Sequence, residues 1–197
     1  VLTDTTGAVA TLDTTEQVMS MKWVARDRWV QGRVETVVPA GRYAWRLLIQ
    51  QGEDAGTLFP LGQLDVEGAV PGRLGAGDAI LGTRQSRLAW ERSAGDTLHF
   101  TPTGRYRRLE PLEVQLDVGG MTGRGTLRSQ ATVIAQREDG GVAFTRMQDV
   151  PVTGAVARVR HTLDLRKLQP GTYTLELTVT DGLGQLVRRW ADFEVIP

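Results

Sequence analysis

Apolar and polar residues alternate with a period of two along most of this chain. Met19, Met21, Trp23 and Ala25 alternate with Ser20, Lys22, Val24 and Arg26. Leu112, Val114, Leu116 and Val118 alternate with Glu113, Gln115 and Asp117. Ala157, Val159, His161, Leu163 and Leu165 alternate with arginines, Thr162 and Asp164, and Tyr173, Leu175, Leu177 and Val179 alternate with threonines and Glu176. Tyr43, Trp45, Leu47 and Ile49 repeat the pattern near the start and predict one buried stripe. Such alternation predicts strands with one buried face and one wet face. No stretch of ten residues carries a helical period, so at most a short turn is helical.

The strands are punctuated by turns. Glu138-Asp139-Gly140-Gly141 and Asp181-Gly182-Leu183-Gly184 predict hairpins. Pro39-Ala40-Gly41 and Gln169-Pro170-Gly171 predict β-turns in which glycine supplies positive φ. These last two turns open related segments, VPAGRYAWRLLIQ and LQPGTYTLELTVT. Gly41 and Tyr43 align with Gly171 and Tyr173, and the copies close on GQLDV and DFEV. A turn, a tyrosine and an alternating strand used twice predict an all-β chain of two tandem antiparallel β-sandwich domains with Greek-key connections. The Gly-rich stretch 69–77 lacks alternation and reads as a linker between a first domain, 1–68, and a second, 78–197. Short strand signals lie at Asp78–Leu81, Arg87–Trp90 and Thr97–Phe100, and Thr101–Pro111 reads as a loop. The first domain carries about five strand signals and reads as incomplete.

Charge narrows the partners. There are 23 basic and 23 acidic residues, so no excess draws the chain to nucleic acid. Cysteine is absent, which removes disulfides, thiolate metal sites and cysteine nucleophiles. No apolar run approaches the length of a membrane-spanning helix, so direct membrane insertion is not expected. The chain begins at Val1 rather than Met, which is compatible with export to the periplasm or cell surface.

Catalytic chemistry is hard to assemble from what remains. The two histidines, His99 and His161, lie in strands and read as core or rim residues. No phosphate-binding, nucleophile-elbow or metalloprotease motif occurs. The loop GGMTGRG at 119–125 lacks the following helix of a phosphate cradle. The nearest approach to clustered carboxylates is Asp13 with Glu16, or Glu53 with Asp54, and no metal or cofactor is expected from them. Tryptophan offers more. Trp45 reads as core, whereas Trp190 falls opposite the stripe of Val187, Ala191, Phe193 and Val195, beside Arg188. Trp29 beside Arg28, together with Trp90, completes a candidate interaction surface of Trp29, Trp90, Trp190 and Arg188.

The segment from Leu163 to Asp181 resembles a late hairpin of immunoglobulin-like and fibronectin-type-III-like domains. With its P-x-G-x-Y turns, Asp78–Gly82 and the closing Phe193-Glu194-Val195, the whole chain resembles the tandem sandwich region of large secreted bacterial envelope proteins. The resemblance implies that Tyr43 and Tyr173 are structural tyrosine corners, each hydroxyl bonding backbone a few residues upstream. It also implies an envelope setting. The expected function is a non-catalytic structural or interaction protein, docking on a partner such as the soluble face of a membrane protein complex. The alternative is a sandwich that binds carbohydrate or another small ligand through its tryptophan rings.

Overall fold

The computed structural model describes residues 1–11, 35–51, 55–86, 88–93, 96–137 and 140–197. The described residues are all-β: the elements are strands and one 3-10 turn. They divide into two compact units, Val1–Gly68 and Ala69–Pro197. The predicted strand at 19–25 and the candidate Trp29 lie outside the described residues, as do Asp13, Glu16, Glu53, Asp54, Glu138 and Asp139.

Unit 1 contains β1 (Leu2–Asp4), β2 (Val9–Thr11), β3 (Gly41–Trp45), β4 (Leu48–Gln51), β5 (Ala55–Leu58) and β6 (Gly62–Val66). Strands β2-β1-β3-β6 form one antiparallel sheet, and β4 and β5 pair separately. Asp4 fixes the β1–β2 turn by accepting from the backbone N–H groups of Thr6 and Ala8, which is how aspartate favours turns. Tyr43 is buried and its hydroxyl donates to the Pro39 carbonyl at 2.8 Å. The buried stripe expected from Tyr43 through Ile49 does not form. β3 stops at Trp45, the chain leaves the sheet at Arg46–Leu47, and β4 pairs with β5 instead. Trp45 is 37% exposed and Ile49 is 54% exposed. Trp45 is therefore not a core residue: its indole lies over the backbone of its cross-strand partner Gly62.

In unit 2 the described residues form eleven strands: β7 (Gly75–Ala76), β8 (Ile80–Gly82), β9 (Ala89–Ser93), β10 (Asp96–His99), β11 (Arg105–Arg107), β12 (Pro111–Gly119), β13 (Gly125–Ala135), β14 (Val142–Val152), β15 (Val156–Asp164), β16 (Gly171–Thr180) and β17 (Leu186–Ile196). One sheet runs β11-β17-β16-β13-β14; the other runs β15-β12-β7, with β8 also on β12. The two sheets share one core. Leu112, Val114, Leu116, Val159 and Leu163 come from one sheet, and Leu127, Val133, Leu175, Leu177 and Val195 from the other. Between β15 and β16 a 3-10 turn, Leu165–Lys167, is capped by the Asp164 carboxylate. Tyr173 is 3% exposed, and its hydroxyl donates to the Gln169 carbonyl at 2.7 Å. Its ring stacks on Phe193 at 5.5 Å. Gly171 takes positive φ at +152°, whereas Gly41 does not, so glycine's freedom is required in only one of the two turns.

Two expectations change in unit 2. Thr101–Pro111 is more than a loop, because β11 lies within it and runs parallel to β17, with Tyr106 buried edge-on against Phe193. Three residues are too few for alternation to reveal. The Gly-rich stretch 69–77 is bonded into unit 2. Gly72 N–H donates to Gly120 O, Leu74 N–H to Gln185 Oε1 and Gly77 N–H to Asp117 O. Gly120 sits at φ +88°, and a β-carbon there would lie 1.9 Å from the Arg73 carbonyl oxygen. Lack of side-chain alternation reflects close backbone packing in this stretch.

Candidate functional site

Strict alternation in β16 and β17 sends Leu175, Leu177, Val179, Phe193 and Val195 inward. It leaves the intervening residues on the outer face of the five-stranded sheet. Strand register then aligns Trp190, Glu176, Thr132 and Thr145 in one row across β17, β16, β13 and β14. The next row is Arg188, Thr178, Gln130 and Met147. Trp190 is 58% exposed and Met147 is 57% exposed. Tryptophan, arginine and methionine are the residue types enriched where proteins bury surface against each other.

The exposed ring is held. Trp190 Nε1 donates to Glu176 Oε2 at 3.2 Å, and Arg188 Nε lies 3.7 Å from Glu176 Oε1. One carboxylate thus anchors both candidate residues. Around them Gln130 donates to Thr132 at 3.1 Å, Thr174 to Asp192 at 2.7 Å, and Gln136 to both Thr174 and Asp192. A face whose polar side chains are already fixed loses less side-chain freedom on binding. Glu176 was not singled out from the sequence. The available signal was its place two residues from Thr178 on the wet side of β16.

Trp90 does not join this face. Trp90 is half-buried in the β9–β10 hairpin. That hairpin covers the outer side of the opposite sheet, because Asp96 of β10 bonds Arg158 and Arg160 of β15. Trp90 and Trp190 therefore lie on opposite sides of unit 2 and cannot form one aromatic platform.

Among the described residues neither histidine is paired with a carboxylate. His161 is 2% exposed, points into the core and shares a 2.8 Å hydrogen bond between Nε2 and Ser129 Oγ. Its Nδ1 has no partner. Burial, with the Arg146 charge adding to it, lowers its pKa from 6.5 to about 4. Among the described residues no three His, Asp or Glu side chains are grouped to hold a metal. The GGMTGRG loop leads into β13, a strand.

Edges of the two sheets meet beside β14. Its inward side chains reach the free edge of β15: Arg146 donates to Thr162 O and Gln148 Nε2 to Arg160 O. These bonds occupy carbonyls that would otherwise invite a further strand.

No protein-family model matches the chain, and no curated protein matches it.

Proposed function

We propose that this chain is a non-catalytic docking module of the bacterial envelope, with the outer face of the five-stranded sheet of unit 2 as its partner-binding surface. Trp190 is the central contact and Arg188 the charged one. The supporting observation is that Trp190 is more than half exposed yet held by Glu176. An aromatic ring left in water but fixed in place suits burial against a partner.

Unit 2 is read as an immunoglobulin-like sandwich. Its two sheets share one core, consecutive strands cross between sheets, and Tyr173 bonds backbone four residues upstream at the start of β16. Unit 1, with the same tyrosine bond at Tyr43, is read as its companion. The partner is a protein, for instance the soluble face of a membrane complex. Among the described residues no helix is long and apolar enough to cross a membrane. A carbohydrate platform built from several tryptophans is not favoured, since Trp90 and Trp190 lie on opposite sides.

The test is capture from native membranes by the full chain and by Trp190→Ala. Loss of a central aromatic contact costs about 2 kcal/mol or more, so the variant is expected to retain its partner at least about tenfold more weakly. Its thermal midpoint should not move. A strict monomer that captures nothing, or equal capture by both proteins, would sink this reading.

A further inference from the structure

The five-stranded sheet of unit 2 has an edge that is only partly covered. β17 has eleven residues, and β11 lies alongside residues 194–196 alone. The bonds that are made fix the direction of the rest. Glu194 N–H donates to Gly104 O, on the β11 side. Alternation then turns the N–H and C=O groups of Arg188, Trp190 and Asp192 the same way, away from β16. Among the described residues no backbone group bonds them. The Arg188 carbonyl accepts from Arg189 Nη1 at 3.1 Å, which leaves its second lone pair. Other edges of unit 2 are guarded. Arg146 and Gln148 occupy carbonyls of β15, and β14 sets Pro151, which has no N–H, in its outer edge.

Beside the open run lies a groove of about 460 Å³, lined by Ile80, Leu81, Phe100, Pro102, Tyr106 and Ala191. Ala191 faces inward between Trp190 and Asp192. A strand laid along β17 therefore turns the side chain opposite Ala191 into this groove. Gly104 ends the run, because the β11 register sets it beside Phe193. Arg189, tied to the Ala76 and Gly77 carbonyls of the opposite sheet, takes up the inward space on the other side of Ala191.

We propose that residues 188–192 of β17 bind an extended segment of a partner protein, which adds as an antiparallel sixth strand. This rests on the docking reading above and names how the partner is held. Outward N–H and C=O groups at every second residue match an extended backbone. The groove takes one apolar side chain. On the outer face Arg188 stands at one end of the run and Asp192 at the other, where Asp192 accepts from the neutral groups of Thr174 and Gln136. Opposite charges facing each other across strands attract. The segment is therefore basic opposite Asp192, apolar opposite Ala191 and acidic opposite Arg188. A second copy does not fit: pairing Trp190 with its own equivalent sets the copy's Val187 opposite Phe193, the place that Gly104 holds.

The test is ¹H–¹⁵N NMR and amide hydrogen exchange of the full chain with the peptide acetyl-Lys-Val-Thr-Val-Glu-amide. In the antiparallel register its Lys meets Asp192, its first Val meets Ala191 and its Glu meets Arg188. Saturating shifts and slowed exchange are expected at the amides of Arg188, Trp190 and Asp192. Those of Arg189 and Ala191 already bond β16 and should keep their protection. Replacing the central Thr by Pro removes the donor to the Trp190 carbonyl and should weaken binding at least about tenfold. Swapping Lys and Glu should weaken it as well. No saturation, or slowing that ignores the alternation, overturns the site. Undiminished binding of the Pro peptide overturns strand addition, and tighter binding of the swapped peptide means parallel pairing and overturns the register. Protection of the three amides without peptide, growing with protein concentration, gives the edge to a second copy and overturns the partner segment. Peptide binding with equal membrane capture by parent and Trp190→Ala upholds this edge and sinks the docking face; lost capture with no peptide response does the reverse.

Discussion

Tyr173 and His161 show how single buried polar groups are treated in this core. Tyr173 gives its hydroxyl to the Gln169 carbonyl from a position 3% exposed. Removing one hydrogen-bonding partner in such a place costs about 1–1.5 kcal/mol. Tyr173→Phe should therefore lower the unfolding free energy of unit 2 by that amount, read as an earlier urea midpoint at unchanged slope, while keeping the ring stacked on Phe193. A variant as stable as the parent would show that the bond contributes nothing. His161 is satisfied at one nitrogen only. Its pKa of about 4 in the folded chain lies below the usual 6.5, so between these values the unfolded state binds the proton that the folded state refuses. Stability should then be level above pH 6.5 and fall as pH drops toward 4, by at most about 3 kcal/mol. His161→Leu should flatten that part of the profile, read by chemical denaturation at pH 4.5 and pH 7. An equal slope in parent and variant would remove His161 as the cause.

At the scale of elements, long strands were legible and short ones were not. β12, β15 and β16 have nine or ten residues each, enough alternation to mark both faces. β11 has three residues and a parallel partner, and nothing local announces it. β3 and β4 fail differently: alternation runs through Arg46 and Leu47 although the chain changes partners there, because side-chain period does not record which strand lies alongside. The β9–β10 hairpin gives only short strand signals, and its place is fixed by groups distant in sequence, Asp96 with Arg158 and Arg160. Gly82 carries the same information, since its missing side chain matters only once His99 lies above it. Gly82→Ala should displace the hairpin. Amide hydrogen exchange in β10 is expected to quicken strongly, with β16 unchanged. If β10 stays as protected as in the parent, the close crossing at Gly82 is not what seats the hairpin.

Across the whole molecule, the wet side of β17 is readable in the sequence, whereas the partners of Trp190 need strand register. The stretch 69–77 is the most instructive case. Glycine content and lost alternation are what a free linker and a tightly packed backbone have in common, so sequence could not separate them. The structure attaches this stretch to unit 2 by Gly72 N–H to Gly120 O at 2.8 Å, Leu74 N–H to Gln185 Oε1 at 3.1 Å and Gly77 N–H to Asp117 O at 3.0 Å. Arg189 reaches back to Gly77 O, β7 pairs with β12, and Leu74 and Ala76 pack on the core. Two fragments separate the alternatives. One begins at Ala69 and the other at Asp78, and both end at Pro197. The longer keeps every contact named here. The shorter loses three backbone-donated hydrogen bonds, each contributing about 1 kcal/mol, together with the burial of two apolar side chains. It should therefore unfold at lower urea, by roughly 3 kcal/mol or more, with a smaller dependence on denaturant because less surface is buried. Coincident unfolding curves would mean that 69–77 is a linker after all, and that unit 2 begins at the first full strand after it.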